Sequence, residues 1–150
     1  MCVIPVSGVM QNPVLMSSIV AWLIAQILKG VYYFARHRRI DFQRFTGPGG
    51  MPSSHSAFVS SLAVGVGIAS GFDSTIFALA FGFAIIVMYD ASGIRRAAGK
   101  QAAVLNEIAD ELFHGGRIRE ERLRELLGHT PVEVFAGAAL GVAVSMIFMR

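Results

Sequence analysis

Apolar positions in this chain gather in four long blocks with short polar breaks between them. The first runs from about Pro13 to Phe34 and the second from about His55 to Ser70. The third runs from about Ser74 to Tyr89, and the fourth from about Pro131 to Met149. A helix crossing a bilayer needs about 20 predominantly apolar residues, or roughly 17 when short. The blocks therefore predict four transmembrane helices, of which the second and third are short and rich in small residues. Gly65, Gly67, Ala78, Ala80 and Gly82 are positions where helices can approach closely. The breaks carry turn chemistry: Gly47-Pro48-Gly49-Gly50 reads as a loop, and Gly71-Phe72-Asp73 as a very tight turn. Residues 1–12 form a short lead containing Pro5 and Gly8, and the chain shows no internal repeat or low-complexity tract.

Between the third and fourth blocks, residues 97–127 follow a different pattern. Val104, Leu105, Ile108 and Leu112 recur at helical spacing, and Gly115-Gly116 interrupts them. Ile118, Leu123, Leu126 and Leu127 then make a second apolar stripe among charges. This pattern predicts two amphipathic helices lying against the membrane surface or a partner. The expected fold class is all-α: one domain over residues 1–150, an integral membrane helical bundle with about four transmembrane helices and an inserted amphipathic segment on one face.

Composition agrees with that reading. Hydrophobic residues make up 54% of the chain, charged residues 15%, and the mean hydropathy is +0.58, whereas a soluble domain carries about 25% charge. A soluble bundle with an all-apolar core is the alternative. The first block has no basic stretch before it and is followed by basic residues, unlike a cleaved signal peptide. Cys2 is the only cysteine, which leaves no intrachain disulfide framework and no cysteine-based metal site. Four short helices bury little surface, which leaves room for a homodimer.

With alternating spans, the exits of the first and third and the entries to the second and fourth share one side. Almost all the cations lie there, Lys29, Arg36, Arg38, Arg39, Arg44, Arg95, Arg96 and Lys100 among them. The positive-inside rule makes that side cytoplasmic in a multi-pass protein of the cell (inner) membrane. The expected partners are the bilayer and a membrane lipid, not a nucleic acid.

Candidate chemistry sits on that side. Pro52-Ser53-Ser54-His55 stands where a polar turn becomes an apolar helix. A helix N-terminus offers N–H groups and a positive dipole end to a phosphate, and a histidine there moves protons near neutral pH. His129-Thr130-Pro131-Val132-Glu133 opens the fourth block in the same way. His129 and Glu133 are four residues apart, so on a helix the carboxylate can orient the imidazole. Each feature also has a plainer explanation. Ser53-Ser54 is good N-cap chemistry, and Thr130 to Glu133 is a capping box with proline at the first helical position. Lys29 can snorkel from its helix end, and Asp90 can pair with Arg95 or Arg96. Separate structural roles do not account for two histidines, several arginines and a lysine converging on one face. Phosphoryl transfer uses all of these parts.

These residues resemble the type 2 phosphatidic acid phosphatase and vanadium haloperoxidase superfamily, and more closely its short, divergent membrane branch. Lys29 and Arg36 have the spacing of that family's Lys–Arg motif, and Pro52-Ser53-Ser54-His55 matches its Pro-Ser-Gly-His with Ser54 for glycine. His129 and Glu133 match the end of its third motif, with glutamate for aspartate. Tyr89 to Arg96 stands where its Ser-Arg falls, separated from His129 by an insertion of roughly thirty residues, the amphipathic pair read from its periodicity. Arg36, Arg38 and Arg39 compete for one role, and Arg95 and Arg96 for another.

The resemblance implies a metal-independent phosphatase acting on a lipid or isoprenoid phosphate or diphosphate, without a cofactor. Lys29, Arg36, Arg95 or Arg96 and the Ser53–Ser54 turn would hold the phosphate, with Asp90 in support. His129, oriented by Glu133, would attack phosphorus to form a phosphohistidine, and His55 would protonate the leaving oxygen. The competing expectation is a catalytically degenerate membrane protein that binds an anionic lipid or phosphate in an assembly or transport role. Vanadium peroxidase chemistry fits short spans at a lipid surface less well.

Overall fold

A computed structural model of the chain describes residues 6–38, 50–93, 98–99, 101–106, 108 and 129–150. Those residues form helices and no strand. A five-residue helix, α1 (Val6–Met10), occupies part of the lead. Four longer helices follow: α2 (Pro13–His37), α3 (Ser54–Ser70), α4 (Thr75–Ser92) and α5 (Pro131–Phe148). They coincide with the four apolar blocks to within three residues at each end. Residues 101–106 are helical as well, with Ala102 buried and Val104, Leu105 and Ile108 exposed. The rest of the expected amphipathic segment of 97–127, namely residues 97, 100, 107 and 109–127, lies outside the described residues.

Local chemistry sets the ends. The Asn12 side chain accepts from the N–H groups of Val14 and Leu15 at 3.0 and 3.1 Å, with Pro13 opening α2. Arg38 closes α2 in the left-handed conformation, φ 50°, donating its N–H to Phe34. Ser74 caps α4, accepting from Phe77 N–H at 3.2 Å. Its hydroxyl donates to Gly71 O at 2.7 Å, which braces the tight turn between α3 and α4.

Among the described residues, the four long helices surround no core of large side chains. Helix α3 lies in the middle and packs on α2, α4 and α5. Its buried face is built from serine, alanine and glycine, with Val59 as the one larger residue. Ala21, Ala25, Ala57 and Val144 form one small cluster, and Val59, Ala63 and Ala84 another. Large apolar side chains point outward instead: Leu79, Phe135 and Ile147 are 74%, 74% and 76% exposed. A soluble protein hides such residues, but lipid tails solvate them, and close backbone contact then supplies the packing energy. The inverted arrangement rules out the soluble-bundle alternative and makes the protein an all-α membrane bundle. Helices α2, α4 and α5 are long and apolar enough to cross a bilayer, and α3 is a shorter apolar helix. The central position of α3 explains its serines. Hydroxyls of Ser17 and Ser18 bond back to Val14 O at 2.8 and 2.9 Å, and Ser61 donates to Ser17 at 3.4 Å across the α2–α3 contact.

The small residues expected to mediate packing divide into two groups. Gly65 and Gly67 are buried on α3, Gly65 facing Val14, Ser17 and Ser145. On α4, Ala78 is exposed and nothing lies within 4 Å of the Gly82 position; that helix packs on α3 chiefly through Ala80, Ala84, Val87 and Met88. The tightest helix contact is elsewhere, between α3 and α5. A Cβ on Gly137 would overlap the carbonyl oxygen of Ser53, and one on Gly141 that of Ala57. Both partners step by four residues in the same direction, so α3 and α5 run parallel and in register.

Candidate active site

The parallel pairing of α3 and α5 brings two helix N-termini together at one end of the bundle. Their orphan N–H groups and dipoles make that end electropositive. The junction is fixed by backbone hydrogen bonds. Ser53 N–H donates to Glu133 O at 3.0 Å, tying the start of α3 to the first turn of α5. His129 N–H donates to Ala91 O at 2.8 Å, tying the entry of α5 to the end of α4. Three helices thus hold His129, which is only 5% exposed.

The His129 ring is held by Glu133. Its Nδ1 lies 2.9 Å from Glu133 Oε2 across one helical turn. The same carboxylate oxygen accepts Thr130 N–H at 3.2 Å, and the Thr130 hydroxyl accepts Glu133 N–H at 3.4 Å. The capping box and the imidazole clamp are therefore one structure: the cap fixes the rotamer that serves the ring. With Nδ1–H donated to the carboxylate, Nε2 keeps its lone pair and is the nitrogen available to an electrophile.

His55 is the second residue of α3, exposed, with its ring centroid 6.3 Å from that of His129 at an interplanar angle of 61°. Ser53 is the N-cap; its Oγ accepts from Ser56 N–H at 3.4 Å and from the Ser56 hydroxyl at 3.0 Å. Its side chain is thus committed to the helix start. Ser54 is buried as the first residue of α3.

Lys29 reaches the same end from α2. It is 8% exposed, and its stem runs over Gly50, where an added Cβ would come within 2.8 Å of Cε and 3.2 Å of Cγ. Gly50 also has φ +97°, a conformation that disfavours any side chain. This places Lys29 against the loop that leads into Ser53. Gly50→Ala should displace the Lys29 stem; if this end of the bundle holds a phosphate, the expected outcome is a bundle that still folds but binds inorganic phosphate or vanadate about tenfold more weakly, which calorimetric titration would measure.

Asp90 is half-buried one residue before Ala91, near the end of α4. Arg36 continues α2, but its side chain lies outside the described residues, as do Arg39, Arg95 and Arg96 entirely. Arg38 is exposed and serves as the α2 cap. The structure therefore brings together His55, His129, Glu133, Ser53, Ser54 and Lys29.

Sequence reasoning passed over four residues that shape this end of the bundle. The Ala91 carbonyl carries no side-chain signal. Gly50 was legible only as part of a loop. Gly137 and Gly141 have the Gly-x-x-x-Gly spacing typical of close membrane helix pairs, a signal that was present in the chain.

Comparison with known proteins gives the site its context. The chain is 39% identical, over 144 residues, to the uncharacterized membrane protein YuiD of Bacillus subtilis (strain 168), covering 89% of this chain and 91% of that one. No solved structure matches it. Residues 10–144, which include all four long helices but for the last four residues of α5, match the model of the divergent PAP2 family, and the chain belongs to that family.

Proposed function

We propose that this membrane protein is a phosphatase that hydrolyses a phosphate or diphosphate carried by a lipid or isoprenoid alcohol, through a phosphohistidine on His129. One observation carries the reading: a buried imidazole clamped by a carboxylate at 2.9 Å, with a second imidazole 6.3 Å away. An oriented nucleophile with an acid opposite it is the arrangement that in-line displacement at phosphorus requires. A phosphorus about 3 to 3.5 Å from the attacking nitrogen would keep its leaving oxygen within reach of the His55 ring.

In the first step His129 Nε2 forms a bond to phosphorus, the bond to the ester oxygen breaks, and protonated His55 gives that oxygen its proton. Glu133 stabilises the charge that develops on the His129 ring. In the second step water attacks phosphorus, neutral His55 takes its proton, and the N–P bond breaks to release phosphate. Lys29, the paired N-termini of α3 and α5, Arg36 and either Arg95 or Arg96 neutralise the phosphoryl oxygens, with Asp90 in support. The cation distribution favours the cytoplasmic face of the cell (inner) membrane for this end of the bundle.

No step uses a metal. Purified protein in detergent, supplied with phosphatidic acid, phosphatidylglycerophosphate, farnesyl diphosphate and undecaprenyl diphosphate, should release phosphate from at least one of them in the presence of EDTA. Vanadate, which mimics the five-coordinate transition state, should inhibit that release at concentrations far below the substrate's KM. Well-folded protein that releases nothing from any of them would favour the binding or transport role instead.

A further inference from the structure

A second feature of the bundle adjoins His55. A cavity of about 250 Å³ lies between α2, α3 and α4, lined by Trp22, His55, Phe58, Val59 and Val87. Among the described residues His55 is its only titratable wall, and the others are aromatic or aliphatic. Phe58, Val59 and Val87 belong to the α3–α4 packing cluster, which fixes the shape of that side. Trp22 stands at 39% exposed on α2. It precedes Lys29 by seven residues, about 10 Å of helix rise. The cavity therefore lies within the apolar span, below the cation.

Resting on the phosphatase reading, we infer that this cavity receives the hydrocarbon chain of the substrate, and that the substrate is a single-chain alcohol phosphate, such as a prenyl or alkyl phosphate, rather than a diacylglycerol phosphate. The volume is at the low end for a ligand pocket, where about 300 to 1,000 Å³ is usual, and suits a segment of one chain. Its wall is apolar right up to His55. A prenyl or alkyl phosphate has hydrocarbon directly next to the phosphate oxygen and matches that wall. A diacylglycerol phosphate carries two chains side by side, and a cavity of this volume takes a segment of only one.

A separate observation falls on the same line. Gln26 is four residues after Trp22 and three before Lys29, so the three share one flank of α2. Its amide oxygen is buried with no hydrogen-bond partner among the described residues. A buried polar atom of this kind calls for a partner. By helix rise the Gln26 Cα falls between those of Trp22 and Lys29. The amide, turned either way, can donate or accept there.

Trp22 is the chain's single tryptophan, so its fluorescence reports the cavity without turnover. The test titrates the full-length protein in detergent with dodecyl phosphate brominated along its chain, because bromine quenches indole on contact. The expected result is saturable quenching that farnesyl phosphate reverses and dioleoyl phosphatidic acid reverses at least tenfold less well. Val87→Phe, which fills the cavity, should weaken the quenching at least tenfold, and Val87→Ile should shift it little. Quenching that rises linearly without saturation overturns the inference, as does equal displacement by the two lipids. Because the wild-type competition needs no variant, misfolding of Val87→Phe leaves the test intact. Protein that shows saturable quenching but never releases phosphate retains the cavity assignment and loses the phosphatase reading. Protein that releases phosphate with only linear quenching does the reverse.

Discussion

Gly137→Ala is expected to cost this protein about 3 kcal/mol or more, the upper end of what overpacking costs. The added methyl would occupy the space of the Ser53 carbonyl oxygen and crowd Ser56 Cβ at 3.1 Å. Neither obstacle is a flexible side chain that can turn aside, because the first is backbone. Helices α3 and α5 must separate, and the first casualties are the Ser53 N–H to Glu133 O bond and the spacing of the two histidines. A thermal melt in detergent should fall by roughly 10 °C, and a shift of about 1 Å at the site should reduce turnover about a hundredfold. Gly82→Ala supplies the contrast. The same methyl meets nothing within 4 Å on α4, and alanine is the better helix former by about 1 kcal/mol. Its melt should be unchanged or higher. Equal effects at the two positions would contradict the close α3–α5 packing.

His129→Ala is expected to abolish phosphate release, by about a thousandfold or more, because it removes the attacking atom while leaving the cations and the acid in place. That corresponds to about 4 kcal/mol of transition-state stabilisation. The informative companion is Glu133→Gln. Glutamine keeps the side-chain length and an oxygen for Thr130 N–H, so the cap on α5 survives. It lacks the charge that stabilises a developing imidazolium. Release should fall about a hundredfold with the melting temperature near that of the wild type. If Glu133 only capped the helix, Glu133→Gln would turn over normally.

The fold was legible in the sequence because a membrane helix announces itself by a continuous apolar run, and because its ends carry caps. Ser53 and Thr130-Pro131 each mark a start within a residue of where the helix begins; Asn12 and Ser74 cap their helices too, a role that sequence reasoning passed over. Helix packing was less legible. Composition alone does not tell which small residues meet a neighbour: Gly82 faces open space and Gly137 a backbone carbonyl, and the sequence separates them only through the spacing of Gly137 to Gly141. The His129–Glu133 pair was readable because four-residue spacing on a helix forces adjacency. Its approach to His55 was implied by the shared face and the family resemblance, but its geometry was not readable, since the long stretch of chain between the two histidines carries no distance information and the answer depends on the parallel register of Gly137 and Gly141. Lys29 was found by its place near a helix end. That its stem would lie across Gly50 follows only from a positive φ that sequence does not reveal.

The most direct test of the account is to look for phosphate on His129 itself. Protein mixed with a turned-over substrate carrying ³²P in its phosphate, and quenched within the first turnovers, should retain label that is stable to base and labile to acid, as an N–P bond is. The label should map to His129 and be absent from His129→Ala. Rapid turnover with no protein-bound label at any quench time, together with undiminished turnover by His129→Ala, would contradict the assignment of His129 as nucleophile.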